Sequence, residues 1–143
     1  MLVSDIVEKL EQELIGGVVE IKPERLQRGK MPPDPEWPMT ALRVGRDRNG
    51  LPIVQCCYMS SSSQTILPFS APWDVIQTHE PAASVSREVG SFKKGDKVML
   101  KSGSLIMDVE HIHPAGITCS WQPEMRPVRE SALVSAIALR KVE

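Results

Sequence analysis

The chain has 143 residues, with 17 Lys+Arg against 18 Asp+Glu and a net charge of −1. A composition that is 41% apolar and 24% charged belongs to a folded protein and not a disordered tail, and the balanced charge argues against a strongly basic phosphate binder or an acidic nucleic-acid mimic. Twelve prolines argue against an all-helical bundle, since each interior one costs a helix roughly 3 kcal/mol.

Residues 3–15 carry Val3, Ile6, Val7, Leu10 and Leu14 at helical spacing, with Glu8, Lys9, Glu11, Gln12 and Glu13 mostly on the other side. This spacing predicts one amphipathic helix, capped by Ser4 or Asp5 and ended by Gly16-Gly17. The opening stretch carries acids and no basic run, so no signal peptide is expected. No apolar run approaches the roughly 20 residues a membrane span needs, and no membrane contact is expected. From Gly17 the period becomes two, with Val19 and Ile21 alternating with polar neighbours. Residues 30–38, KMPPDPEWP, hold four prolines and predict an extended loop. Strands are predicted at 41–46 and 53–59, joined by a turn whose Asn49-Gly50 is a strong hairpin signal. Short strands at 65–69 and 74–77 flank a turn at 70–73. Residues 80–91 lack a period and predict a linker. Beyond it, strands are predicted at 97–101, 106–113, 117–121 and 126–129, then a helical turn at 131–133 and a last strand over 137–142.

The two β segments share an ordered set of features. Val19 and Ile21 fall on Val98 and Leu100, the Gly50 turn on the Gly116 turn, Val54-x-Cys56-x-Tyr58 on Ile117-x-Cys119-x-Trp121, and Ser70-Ala71 on Ser131-Ala132. The expected architecture is therefore mainly β by internal duplication. An N-terminal helix (1–16) precedes a first small SH3-like β-barrel (17–79) carrying the proline-rich loop, then the linker and a second such barrel (92–143). One barrel of about 60 residues has a marginal core, and packing two together with the helix over one end would explain a stable chain, though the sequence does not decide whether they pack.

Phe92-Lys93-Lys94-Gly95-Asp96-Lys97-Val98-Met99-Leu100-Lys101-Ser102-Gly103, then Met107-Asp108-Val109 and Gly116 to Trp121, resembles the YodC-like family of small bacterial proteins, with its pattern GDxVxLKSGGPxMxV…CxW. The resemblance covers about residues 92–140 and departs at Ser104 and Leu105, where the family has Gly and Pro. It implies a small β-barrel and no established catalytic activity.

The cysteines, Cys56, Cys57 and Cys119, are odd in number and form no C-x-x-C, so a reduced, cytoplasmic protein is expected. Adjacent Cys56 and Cys57 should point to opposite faces of a strand, at least one of them buried. In the 106–121 hairpin, His113 is expected opposite Ile117, His111 opposite Cys119 and Val109 opposite Trp121, all on one face. That register makes His111, His113 and Cys119 the candidate for a metal or a thiol nucleophile, against the plainer reading of a packed core face. Trp37 in the proline-rich loop and Trp73 are candidate binding aromatics. Arg43, Arg46 and Arg48, with Lys93, Lys94, Lys97 and Lys101, are candidate basic clusters or else solvated edges and turns.

Three functions are open at this stage. The first is non-catalytic docking on a larger protein complex, through Trp37 or a groove between the barrels, as a phage- or mobile-element-encoded inhibitor of a host system would do. The second is a nucleic-acid-associated module, and the third a metal- or thiol-dependent enzyme at His111 and Cys119. No catalytic residue or cofactor is expected on the first reading, and oligomeric state is not encoded legibly.

Overall fold

The structure is a computed structural model that describes residues 2–22, 38–80 and 92–142. Residues 30–37 of the proline-rich loop, Trp37 among them, and 81–91 of the linker lie outside these described residues. The chain opens with helix α1 (Val3–Glu13) and continues through β1 (Val18–Ile21), β2 (Met39–Arg46), β3 (Pro52–Met59), β4 (Ile66–Pro72), a 3₁₀ turn (Trp73–Val75) and β5 (Ile76–Glu80). A second series follows: β6 (Lys97–Leu100), β7 (Met107–His113), β8 (Gly116–Trp121), β9 (Glu130–Val134), a 3₁₀ turn (Ala136–Ala138) and β10 (Leu139–Lys141).

All ladders are antiparallel, in two five-stranded sheets. The first runs β4-β3-β2-β1-β5 and the second, in the same sense, β9-β8-β7-β6-β10. In each, four strands meander and a fifth returns after a 3₁₀ turn to pair with the first. Among the described residues no ladder joins β4 to β5 or β9 to β10, so both sheets are open in hydrogen-bonding terms.

Fine details repeat as well. Gly16 N–H donates to Ala41 O (2.9 Å) and Ala41 N–H to Gly17 O (3.0 Å); Gly95 N–H donates to Val109 O and Val109 N–H to Asp96 O, both at 2.9 Å. The register slips at the next residue of each strand, between Ala41 and Arg43 and between Val109 and His111. The Cys56 and Cys119 thiols each donate to the carbonyl two residues back, at 3.7 Å.

Several boundaries differ from expectation. Residues 131–133 are strand, because they pair with Ser120, Cys119 and Thr118, and this ladder overrides local helical tendency. The helical turn falls instead at Ala136–Ala138. Residues 70–72 likewise belong to β4, where Pro72 is tolerated as the last residue of an edge strand. Strand β5 begins at Ile76 and runs to Glu80, the first residue assigned to the linker. By register, Ala71 (opposite Val54) matches Val134 (opposite Ile117), so the alignment of Ser70-Ala71 with Ser131-Ala132 is two residues out.

Two cores result. Leu10 and Leu14 of α1 pack with Val19, Met39, Ala41, Val54, Cys56, Tyr58, Ala71 and Ile76. An isolated 11-residue helix is marginal in water, so this apolar stripe is what holds α1 in place. The second core holds Val98, Leu100, Met107, Val109, Ile117, Cys119, Trp121 and Leu139, and Cys57 of β3 belongs to it too. Leu42, Met59 and Ile66 of the first sheet pack against the same cluster. Strand β3 thus buries one face in each core, with Cys56 (1% exposed) in the first and Cys57 (5%) in the second.

Hydrogen bonds seal the junction. Ser102 N–H donates to Thr40 Oγ1 (3.0 Å), whose hydroxyl donates to Ser102 Oγ (2.7 Å). Trp121 Nε1 donates to Gln64 O (2.7 Å), and Leu105 N–H to Met59 Sδ (3.4 Å). Ser104 Oγ accepts from Leu100 N–H (3.0 Å), so the two positions that depart from the YodC-like pattern lie in this turn and at the junction. Gly16, at φ +85°, lies so close to Ile137 that a Cβ would stand 2.9 Å from its Cγ1.

Candidate binding groove

The structure separates the residues that suggested metal or thiol chemistry. A two-residue turn sets His113 opposite Gly116, and the bulge after Val109 sets His111 opposite Thr118 and Val109 opposite Cys119. Both histidines are exposed, their ring centroids 6.0 Å apart, with His113 Nε2 3.1 Å from Thr118 Oγ1. Cys119 is fully buried. The one-face register is therefore corrected: the extra residue of the bulge turns the histidines away from the thiol. Among the described residues, no three His, Cys, Asp or Glu side chains are grouped to hold a metal ion. Burial pushes the Cys119 thiol up to about 11, Cys57 to about 12 and Cys56 to about 12, the last also through its neighbour Cys57. A thiol so raised is protonated at neutral pH and a poor nucleophile.

The basic residues do not converge. Arg43 donates from Nε to Gln55 Oε1 across the β2–β3 ladder, while Arg46 and Arg48 are exposed at the hairpin end. Lys97 pairs with Asp108, and Lys101 turns into the junction, its Nζ donating to Gly16 O (3.0 Å). Burial there lowers the Lys101 ammonium pKa. Lys93 and Lys94 are exposed in the turn before β6. On the outer face of the second sheet Asp108 also pairs with Arg129 (2.8 Å), which donates to Ser120 Oγ (3.0 Å); Ser120 in turn donates to Glu110 Oε2 (2.6 Å).

Trp73 is the binding candidate that the fold places in a cavity. It opens the 3₁₀ turn after β4, half-buried, and lines a groove of about 460 Å³ between α1 and β5. The apolar wall is Ile6, Leu10 and Leu14 of α1 with Trp73 and Ile76. Lys9, Glu13 and Lys22 stand on its polar side, with Gln77 and Thr78 of β5. The groove exists because α1 covers only part of this end of the first core. At the matching end of the second sheet, the 3₁₀ turn packs against β2.

The lysines and the helix contribution escape notice in the sequence. Lys9 reads as solvated helix surface and Lys22 as the end of a short strand. The signal that could have found the groove is Trp73 itself, a large aromatic just before a predicted short strand. Compared with family models, with curated proteins and with solved structures, the chain matches none.

Proposed function

We propose that this is a non-catalytic docking protein, built from two related SH3-like barrels, that engages a larger protein assembly at the open end of its first unit. The observation that carries the docking reading is the groove beside Trp73, an apolar, partly covered cavity rimmed by charge. The kinship of the units is supported by the identical strand order and by the repeated Gly16–Ala41 and Gly95–Val109 hydrogen bonds. A YodC-like origin of the second unit remains our reading of its sequence pattern. Two further points favour binding over catalysis: the thiols are buried, which raises their pKa, and the histidines lie opposite Thr118 and Gly116 and not Cys119.

A photo-crosslinking residue at Gln77 should capture a specific partner in lysate, the same residue at Lys94 should not, and Trp73→Ala should reduce capture at least fivefold. Equal capture from the two positions would reject the docking reading. Far-ultraviolet circular dichroism of each variant separates lost binding from lost fold.

A further inference from the structure

Among the described residues strand β5 ends its sheet: it pairs with β1 on one side, and the sheet order gives it no neighbour on the other. Consecutive side chains of a strand point to opposite faces. Yet Ile76, Gln77 and Thr78, three in a row, all line the groove. A cavity that touches both faces of a strand at successive residues runs along its edge, where backbone N–H and C=O groups are presented. The opposite wall is the apolar stripe of α1, with Trp73 at one end. Lys9 and Lys22 set two ammonium groups against the single carboxylate of Glu13 along the rim.

We propose that the occupant of this groove is an extended peptide segment of the partner protein, which adds as a strand to the free edge of β5. Its alternate side chains are apolar, seated between Trp73 and Leu10, and acidic, facing Lys9 and Lys22. The inference rests on the docking reading and specifies its chemistry. Main-chain hydrogen bonds to an edge supply affinity, while the groove selects every second side chain. An extended acidic segment satisfies the edge, the apolar wall and the cationic rim together. A docked helix would leave the backbone groups of the strand edge unpaired.

The test uses the full chain and two end-capped heptapeptides, one alternating Asp and Val and the other alternating Lys and Val. Fluorescence anisotropy should give at least tenfold tighter binding of the Asp–Val peptide. Hydrogen exchange read by nuclear magnetic resonance should slow at β5 amides when that peptide is bound. The double variant Lys9→Glu/Lys22→Glu, altered only at the rim, should reverse the preference. Equal affinity for the two peptides, or unchanged exchange along β5, would overturn the strand mode. If crosslinking at Gln77 still captures a partner while the double variant leaves that capture unchanged, docking stands and the acidic strand fails; no capture at Gln77 sinks docking itself.

Discussion

Gln64 has φ +55°, the only positive φ outside glycine among the described residues. An L-residue in that region is strained by roughly 1–2 kcal/mol, so something must hold it there. Its carbonyl accepts from the Trp121 indole, its Oε1 from Glu124 N–H (2.6 Å), and its Nε2 donates to Glu124 Oε1 (2.7 Å). Arg126 adds a bond to the neighbouring Ser63 carbonyl. We expect Gln64→Ala to lower unfolding stability by about 1–2 kcal/mol in urea titrations, through two lost side-chain bonds. Gln64→Gly should cost about 1 kcal/mol less than Gln64→Ala, because glycine enters positive φ freely. Nothing in Ser-Ser-Ser-Gln-Thr announces this role, since its partners lie about 60 positions further along the chain. By contrast, the opposed faces of Cys56 and Cys57 were legible, because strand alternation is local geometry.

At the level of single elements, α1 and the β7–β8 hairpin show how far pattern reading reaches. The helix lies where its 3.6-residue spacing placed it, but it starts at Val3 with Leu2 as N-cap and no side-chain cap bond from that residue. Asp5 instead accepts from Leu2 N–H at 3.4 Å. Leu2 is 71% exposed, so little packing is lost on replacing it. Leu2→Thr should raise stability by about 0.5–1 kcal/mol by supplying the missing hydroxyl, seen as a higher thermal midpoint. In the hairpin the strands were legible and the register was not. A bulge adds one residue that no alternation pattern encodes, and it reassigned His111 from the Cys119 pair to Thr118. The same strand carries Asp108, whose carboxyl is held below its usual value of 3.8 by a hydrogen bond from Lys97, then by Arg129. A depressed carboxylate stabilises the fold above its unfolded pKa, and the gain is lost as pH falls through the lower folded value. The native protein should therefore lose more stability than Asp108→Asn on acidification from about pH 5 to 2. The difference should be about 1 kcal/mol or less, since the pair is partly solvated, and acid titration at two salt concentrations reads it.

For the whole molecule the decisive feature is that the second core is completed by the first sheet. Cys57, Leu42, Met59 and Ile66 pack on a cluster otherwise supplied by β6 to β10. Local patterning gave most strands of both sets, β9 being missed, but could not say that they share a core, because that contact joins distant segments. One clue was present: Cys56-Cys57-Tyr58-Met59 is an apolar run without alternation, as expected of a strand buried on both faces. The two units should unfold together, with calorimetric and van't Hoff enthalpies equal within error. Met59→Ala should cost about 2–3 kcal/mol and lower one shared midpoint without splitting the transition.

The contact between the units is head-to-tail: the outer face of one meets the turn-bearing end of the other. Such contacts, repeated, build rings where the rotation closes and open filaments where it does not. At the places in the second sheet that match Thr40, Leu42 and Cys57 stand Asp108, Glu110 and Ser120, tied with Arg129 and Lys97 into a charged lattice. A further unit would have to strip water from those charges to add on. That charged face therefore opposes docking of a third unit in the same manner, as a polar end face does in a solenoid.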